Sequence, residues 1–165
     1  MLCAGGYARR LNLPSGEFAL TYSDVWTIEA LPNSVVVVGA AGCQLASVLA
    51  AFGARVWLLE VASRILGGED EALSPDVAEA FERRGIEMSA GIDGVTRIEE
   101  SHDGRRLVYS QKGQESVLEV GAVIFAVGWP GNPDGLNLSV PDVEVRRDAR
   151  RATLCRHLLT LCRAG

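Results

Sequence analysis

Histidine and paired cysteine are scarce in this sequence. Two histidines, with four cysteines (Cys3, Cys43, Cys155, Cys162) that form no C-x-x-C pair, leave no zinc-ligand pattern. The cysteines read as free thiols in a reducing compartment. Basic charge is also in deficit. With 16 basic against 21 acidic side chains, the net charge is −5, which excludes a general affinity for nucleic acid. No apolar run approaches the roughly 20 residues a membrane helix needs. Met1-Leu2-Cys3-Ala4-Gly5-Gly6 has neither the charged n-region nor the long h-region of a signal peptide. A cytoplasmic protein with no membrane partner is expected.

What is present suits one α/β domain. The chain has 165 residues, 48% of them hydrophobic and 22% charged, enough to bury a core. Residues 1–34 are punctuated by glycine and proline and read as a connecting segment. Val35–Val38 is a continuous β-branched run, which marks a strand covered on both faces in a parallel sheet. Leu45, Leu49 and Phe52 then follow at helical spacing, Gly53 closes that helix, and Arg55–Glu60 is a second buried strand. Ser74-Pro75 predicts another helix start, with a hydroxyl cap and a proline in the first turn. Gly85 ends this helix, and Ile86–Ala90 completes βαβαβ.

From Val95 the period becomes two. Val95–Glu99, Arg106–Ser110 and Ser116–Val120 predict an antiparallel three-stranded meander, turning at His102-Asp103-Gly104 and Lys112-Gly113. Ala122–Val127 is again a buried strand. Residues 136–165 form a divergent tail rich in Arg, Leu and Cys, in which Leu154, Leu158 and Leu161 have helical spacing. Such a composition is also what a shifted reading frame would produce.

The chemistry concentrates in Val35–Glu60. A strand, a glycine turn opening a helix, and a second strand ending in an acid form the dinucleotide-binding arrangement. Its glycines allow a tight turn and close approach to the pyrophosphate, and the helix N-terminus supplies N–H donors. Glu60 stands about twenty residues after Gly39, where a carboxylate accepts from both ribose hydroxyls and repels a 2′-phosphate, favouring NAD(H) over NADP(H). The turn, Gly39-Ala40-Ala41-Gly42-Cys43-Gln44, departs from G-x-G-x-x-G. Either Gln44 stands at the third glycine position, or Gly42 is that glycine and two residues are missing. The helical look of Gly42–Ser47 favours the deletion.

Several segments together resemble the pyridine-nucleotide–disulfide oxidoreductase family of flavoproteins. Cys3–Leu11 is similar to the family's A-T-G segment, Thr21–Pro32 to its linker into the NAD domain, and Val35–Glu60 to its NAD fingerprint. Ser63–Leu66 resembles the segment after the acid, and Ala126–Asn132 the A-x-G-x-x-P-N loop. The resemblance implies a Rossmann-like FAD/NAD(P)-binding fold: a linker over 1–34, an NAD-binding domain over 35–135, then the tail. It puts Gly39, Ala40, Ala41 and Gly42 at the pyrophosphate, Glu60 at the ribose, Arg64 towards the adenine side and Gly128 close to bound NAD. Gln44 matches the position of a glutamate near nicotinamide and flavin. Trp129 replaces an arginine. The family's FAD fingerprint, redox cysteine pair, second FAD motif and catalytic histidine have no counterpart, and beyond Val145 the chain leaves the family's pattern.

The implied function is the NAD(H)-binding segment of an FAD-dependent oxidoreductase, truncated and inactive alone or needing a complementing chain. A non-catalytic nucleotide-binding or protein-interaction module derived from that family is the alternative. A third reading is a degenerate gene product.

Overall fold

The computed structural model describes residues 5–102, 104–132 and 136, and the backbone of 143–147 and 152–155. Two units are distinguished, Arg10–Val127 and a second made of Met1–Arg9 with Gly128–Gly165.

In the first unit, β1 (Leu20–Thr21) leads directly into a short α1 (Tyr22–Val25). The valine run is β2 (Ser34–Val38), followed by a 3₁₀ turn at Ala40–Gly42 and α2 (Cys43–Ala51). Then come β3 (Arg55–Glu60), α3 (Leu73–Arg83), β4 (Glu87–Ala90), the meander strands β5 (Gly94–Ser101), β6 (Gly104–Gln111) and β7 (Gln114–Val120), and β8 (Ala122–Phe125). The order β1-β8-β2-β3-β4 makes a five-stranded sheet whose pairings are all parallel. The meander is a separate antiparallel sheet, order β5-β6-β7.

Alternation along β2 explains the unbroken valines. Val35 and Val37 pack with Ala46 and Leu49 of α2 and Phe81 of α3. Val36 and Val38 turn to the other face, against Ile98, Leu107, Tyr109 and Val120 of the meander. With helices on one face and the meander on the other, neither face of the strand needs a polar residue. The segment read as a connector does more than connect. It supplies the edge strand β1, paired with β8, and Leu11, Leu13, Phe18 and Ala19 join the meander-side core.

Two local expectations need correction. Ser74 does not cap α3, which starts one residue earlier with Ala72 at the cap position. The buried Ser74 hydroxyl instead donates to the Ile65 carbonyl at 2.5 Å, because a carbonyl in a dry environment must find a donor. Pro75 still falls in the first turn, where its missing N–H leaves no helical bond unmade. In the second unit, Leu154 is not helical. Residues Ala152–Cys155 form β10, antiparallel to β9 (Val143–Arg147) with an irregularity between Ala152 and Leu154. Three leucines at helical spacing, without caps, do not outweigh strand pairing. Leu158 and Leu161 lie outside the described residues. The same unit pairs Gly6 with Gly131 and carries the Arg9 N–H to Gly128 carbonyl bond at 3.1 Å.

Carboxylates hold one turn of the meander and the start of α1. At the β6–β7 turn, Lys112 and Gly113 both have positive φ, 53° and 73°, as a type I′ turn requires. Asp93 accepts from the Gly113 N–H at 2.9 Å and the Ser110 hydroxyl at 2.7 Å. These bonds, the Gly113 N–H first, hold its carboxyl below the usual aspartate range. Asp24 is held low likewise, by the Thr21 hydroxyl and then the Thr21 N–H, with Arg10 adding less. A depressed folded-state value means both carboxylates support the fold above the ordinary aspartate range, and that support is lost as pH falls below about 4. Urea midpoints measured between neutral and acid pH should therefore fall on the acid side, and Asp24→Asn should flatten that acid limb. An unchanged acid limb in Asp24→Asn would show that its bonds to Thr21 contribute nothing.

Candidate functional site

Strand order locates the site. From β2 the chain proceeds outward through β3 to β4, whereas β8 lies on the opposite side of β2. The connection leaving β2 therefore turns away from β8 at the C-terminal end of the strand. In open α/β sheets the crevice at such a switch point receives ligands. The turn Gly39–Gly42 stands there, immediately after β2, with the Ala126 N–H donating to the Val38 carbonyl at 2.8 Å beside it.

Each glycine of the turn has a separate reason. Gly39 has φ +100°, ψ 131°, a conformation open essentially to glycine alone. A Cβ there would also collide with the Ala126 carbonyl. Gly42 has an ordinary φ of −87°, but a Cβ would overlap Val37 Cγ1 and lie 2.8 Å from Ala126 Cβ. Gly42 thus provides the close helix–strand packing that the third glycine of the fingerprint provides. Gln44 is exposed on the first turn of α2 and contributes nothing to that packing. Of the two registers open in the sequence, this geometry supports the one with two residues missing. Ala126, the first residue of the A-x-G-x-x-P-N loop, is what both glycines pack against, a packing role that the sequence did not assign to it.

Glu60 ends β3 beside the turn. One carboxylate oxygen accepts from the Ala40 N–H at 2.6 Å and the other from the Ala62 N–H at 2.8 Å. Each oxygen retains a second lone pair. Of the other donors at the turn, the Gly39 N–H is on the Leu59 carbonyl at 2.7 Å, the Gly42 N–H on the Gly39 carbonyl at 3.0 Å and the Cys43 N–H on the Ala40 carbonyl. Ala40 is buried and Ala41 exposed. Cys43, the buried first residue of α2, has its thiol pushed up in pKa by burial and then by the charge of Glu60. It is thereby kept protonated and unreactive.

The structure thus brings together Gly39, Ala40, Ala41, Gly42 and Glu60, with Gln44 two residues further, in the first turn of α2. Arg64 is directed onto its own loop, bonded to backbone carbonyls and Ser74. Gly128, φ +108°, belongs to the second unit and is described with it. Among the described residues there is no cluster of three potential metal ligands, and no helix is long and apolar enough to cross a membrane.

A family profile described as pyridine nucleotide-disulphide oxidoreductase matches residues 1–157. The chain belongs to this family. The match runs beyond Val145, where the recognisable motifs stop. A dihydrolipoyl dehydrogenase of Staphylococcus aureus is 29% identical over 136 residues, covering 79% of this chain and 29% of the relative. A glutathione reductase of Nostoc sp. is 25% identical over 147 residues, covering 88% of this chain and 32% of the relative. The chain therefore spans about a third of the length of these curated relatives. Among solved structures, the HOCl-induced flavoprotein disulfide reductase RclA from Escherichia coli superposes with a TM-score of 0.77 at 20% identity, over 93% of this chain and 37% of that one. That likeness speaks to the fold. The family is one of FAD-dependent enzymes that use NAD(P)H.

Proposed function

We propose that this chain is the NAD(H)-binding segment of an FAD-dependent pyridine-nucleotide–disulfide-type oxidoreductase, acting with catalytic parts that it does not itself carry. One observation carries the reading. The Glu60 carboxylate and the Gly39–Gly42 turn are joined by a hydrogen bond at the sheet's switch point, where an adenosine ribose and a pyrophosphate would meet them. The pyrophosphate would lie on Gly39, Ala40, Ala41 and Gly42, the ribose hydroxyls would donate to Glu60, and Gln44 would stand towards the nicotinamide half. The charge on Glu60 opposes a 2′-phosphate, hence NAD(H) over NADP(H). Bound FAD would supply a hydride acceptor, and its binding is assigned here to the parts of the family that this chain does not span. The compartment proposed is the cytoplasm.

Titrating NADH while following the fluorescence of Trp57, which lies in the strand that ends at Glu60, tests this. Glu60→Ala should weaken NADH roughly 10- to 100-fold, the value of losing hydrogen bonds to a charged acceptor, and should weaken NADPH less. A flat wild-type titration to millimolar NADH would remove the proposal, and equal weakening of both nucleotides would remove the ribose role of Glu60.

The second reading, a partner-binding module without catalysis, also has an observation in its favour. Val48 and Phe52, four residues apart at the end of α2, are 49% and 74% exposed, and Trp26 is 84% exposed. A contiguous exposed apolar patch, which Val48 and Phe52 begin at one helical turn's spacing, is characteristic of contact surfaces. If the purified chain sediments as a monomer and shows no self-association when concentrated, this surface gives no support for pairing with a second copy.

A further inference from the structure

The loop between β3 and α3 contains one cation, Arg64, and three carboxylates, Glu69, Asp70 and Glu71. A guanidinium stays charged and has five N–H donors, so its existing bonds decide what it offers an anion. Nη1 of Arg64 donates to the Leu66 carbonyl at 3.0 Å and to Ser74 Oγ at 2.7 Å. Nη2 donates to the carbonyls of Gly67 at 3.3 Å and Glu69 at 3.1 Å. Ser74 is buried and passes its own proton to the Ile65 carbonyl. Leu66, inside this ring of acceptors, has a left-handed φ of 54°, a conformation that a leucine keeps only where its surroundings impose it.

We infer that this clasp is a specificity device: it withholds the loop's one cation from any anion beside Glu60. The inference rests on the nucleotide-binding reading above and deepens it. An arginine close to the acidic residue is the usual means of accepting a 2′-phosphate, and by sequence Arg64, four residues after Glu60, is placed for it. In the structure all four Nη–H donors are engaged, so the Nη edge of the guanidinium reaches a phosphate only by leaving three carbonyls and a buried hydroxyl, and among the described residues the Nε–H alone is uncommitted. Breaking those bonds leaves the buried Ser74 oxygen short of a donor in a dry environment. Discrimination against NADPH therefore has two layers, repulsion by Glu60 and the tethering of the loop's cation. Removing Glu60 alone does not convert the site.

The experiment compares NADH and NADPH titrations in wild type, Glu60→Ala, Glu60→Ala/Arg64→Met and Glu60→Ala/Ser74→Ala. Glu60→Ala should weaken NADH without tightening NADPH, and adding Arg64→Met should leave the ratio of the two affinities unchanged. Adding Ser74→Ala, which loosens the clasp, should tighten NADPH roughly tenfold relative to Glu60→Ala, as one charge-assisted bond to phosphate would. If Glu60→Ala alone tightens NADPH and Arg64→Met abolishes that gain, Arg64 is available and the clasp is refuted, while the nucleotide reading stands. Wild type binding neither nucleotide up to millimolar concentrations would overturn both. A measurement on the unmutated chain guards against variants that fail to fold. Phenylglyoxal should modify Arg64 much more slowly than Arg83, whose side chain is 69% exposed, as read by peptide mass spectrometry. Equal rates would overturn the clasp.

Discussion

Gly39→Ala is expected to destabilise the chain by about 3 kcal/mol, from backbone strain and overpacking together. Two neighbours in the same unit separate these causes. Gly53 has nearly the same φ, +99° against +100°, but nothing lies within 4 Å of a Cβ added there. Gly53→Ala therefore reports strain alone, about 1 kcal/mol. Gly42 has ordinary φ, and its added Cβ would overlap Val37 Cγ1, so Gly42→Ala reports packing alone, about 1–3 kcal/mol. Gly39 combines both penalties, because its Cβ would meet the Ala126 carbonyl, a backbone group that no rotamer change can move aside. The clash at Gly42 differs in this respect. Val37→Ala should partly rescue Gly42→Ala, a coupling that a double-mutant cycle would measure, and should do nothing for Gly39→Ala. Urea unfolding of the set decides the matter. If Gly39→Ala were no worse than Gly53→Ala, the close approach of the turn to Ala126 would be wrong.

The elements best read from sequence are those whose environment leaves a regular trace. Val35–Val38 announced a strand covered on both faces because each valine meets either α2 or the meander. Arg55–Glu60 matches β3 residue for residue, since the tight Gly53 turn and the acid at its end bound it on both sides. The meander strands came out longer than expected. The added ends include Glu100, Arg105 and Glu115, with Glu100 paired to Arg105 and Glu115 to Arg97, and polar residues on an exposed sheet face resemble loop composition. Leu20–Thr21 was invisible, because two residues carry no period and pair only through β8.

At the site the split is similar. Positions were legible, and partners were not. The glycines and Glu60 follow from spacing, but nothing in the sequence tells that Glu60 already holds the Ala40 and Ala62 N–H groups. Nor does it tell that Ser74 turns away from its helix towards Ile65, because that choice is made by a carbonyl nine residues earlier in the chain. Long-range hydrogen bonds of this kind depend on which groups the fold deprives of water, and only the assembled core determines that.

Turn length leads to the second large effect. Inserting two residues between Ala41 and Gly42 should tighten NADH binding roughly tenfold or more, the worth of one charge-assisted bond to the pyrophosphate. In the present turn the Ala40 N–H is held by Glu60, the Gly42 N–H by the Gly39 carbonyl and the Cys43 N–H by the Ala40 carbonyl. A pyrophosphate at a helix N-terminus needs such donors pointing outward. Lengthening the turn breaks the short Gly39–Gly42 bond and frees at least one donor, while Gly42 keeps its packing against Val37. The gain should appear equally for NADH and for inorganic pyrophosphate as competitor, since both use the same N–H groups. It should survive in Glu60→Ala, since the Gly42 N–H that lengthening frees is not one that Glu60 holds. An insertion variant that unfolds at the wild-type urea midpoint yet binds NADH no better would show that turn length is not what limits the cofactor. The register with Gln44 at the third glycine position would then have to be taken up again.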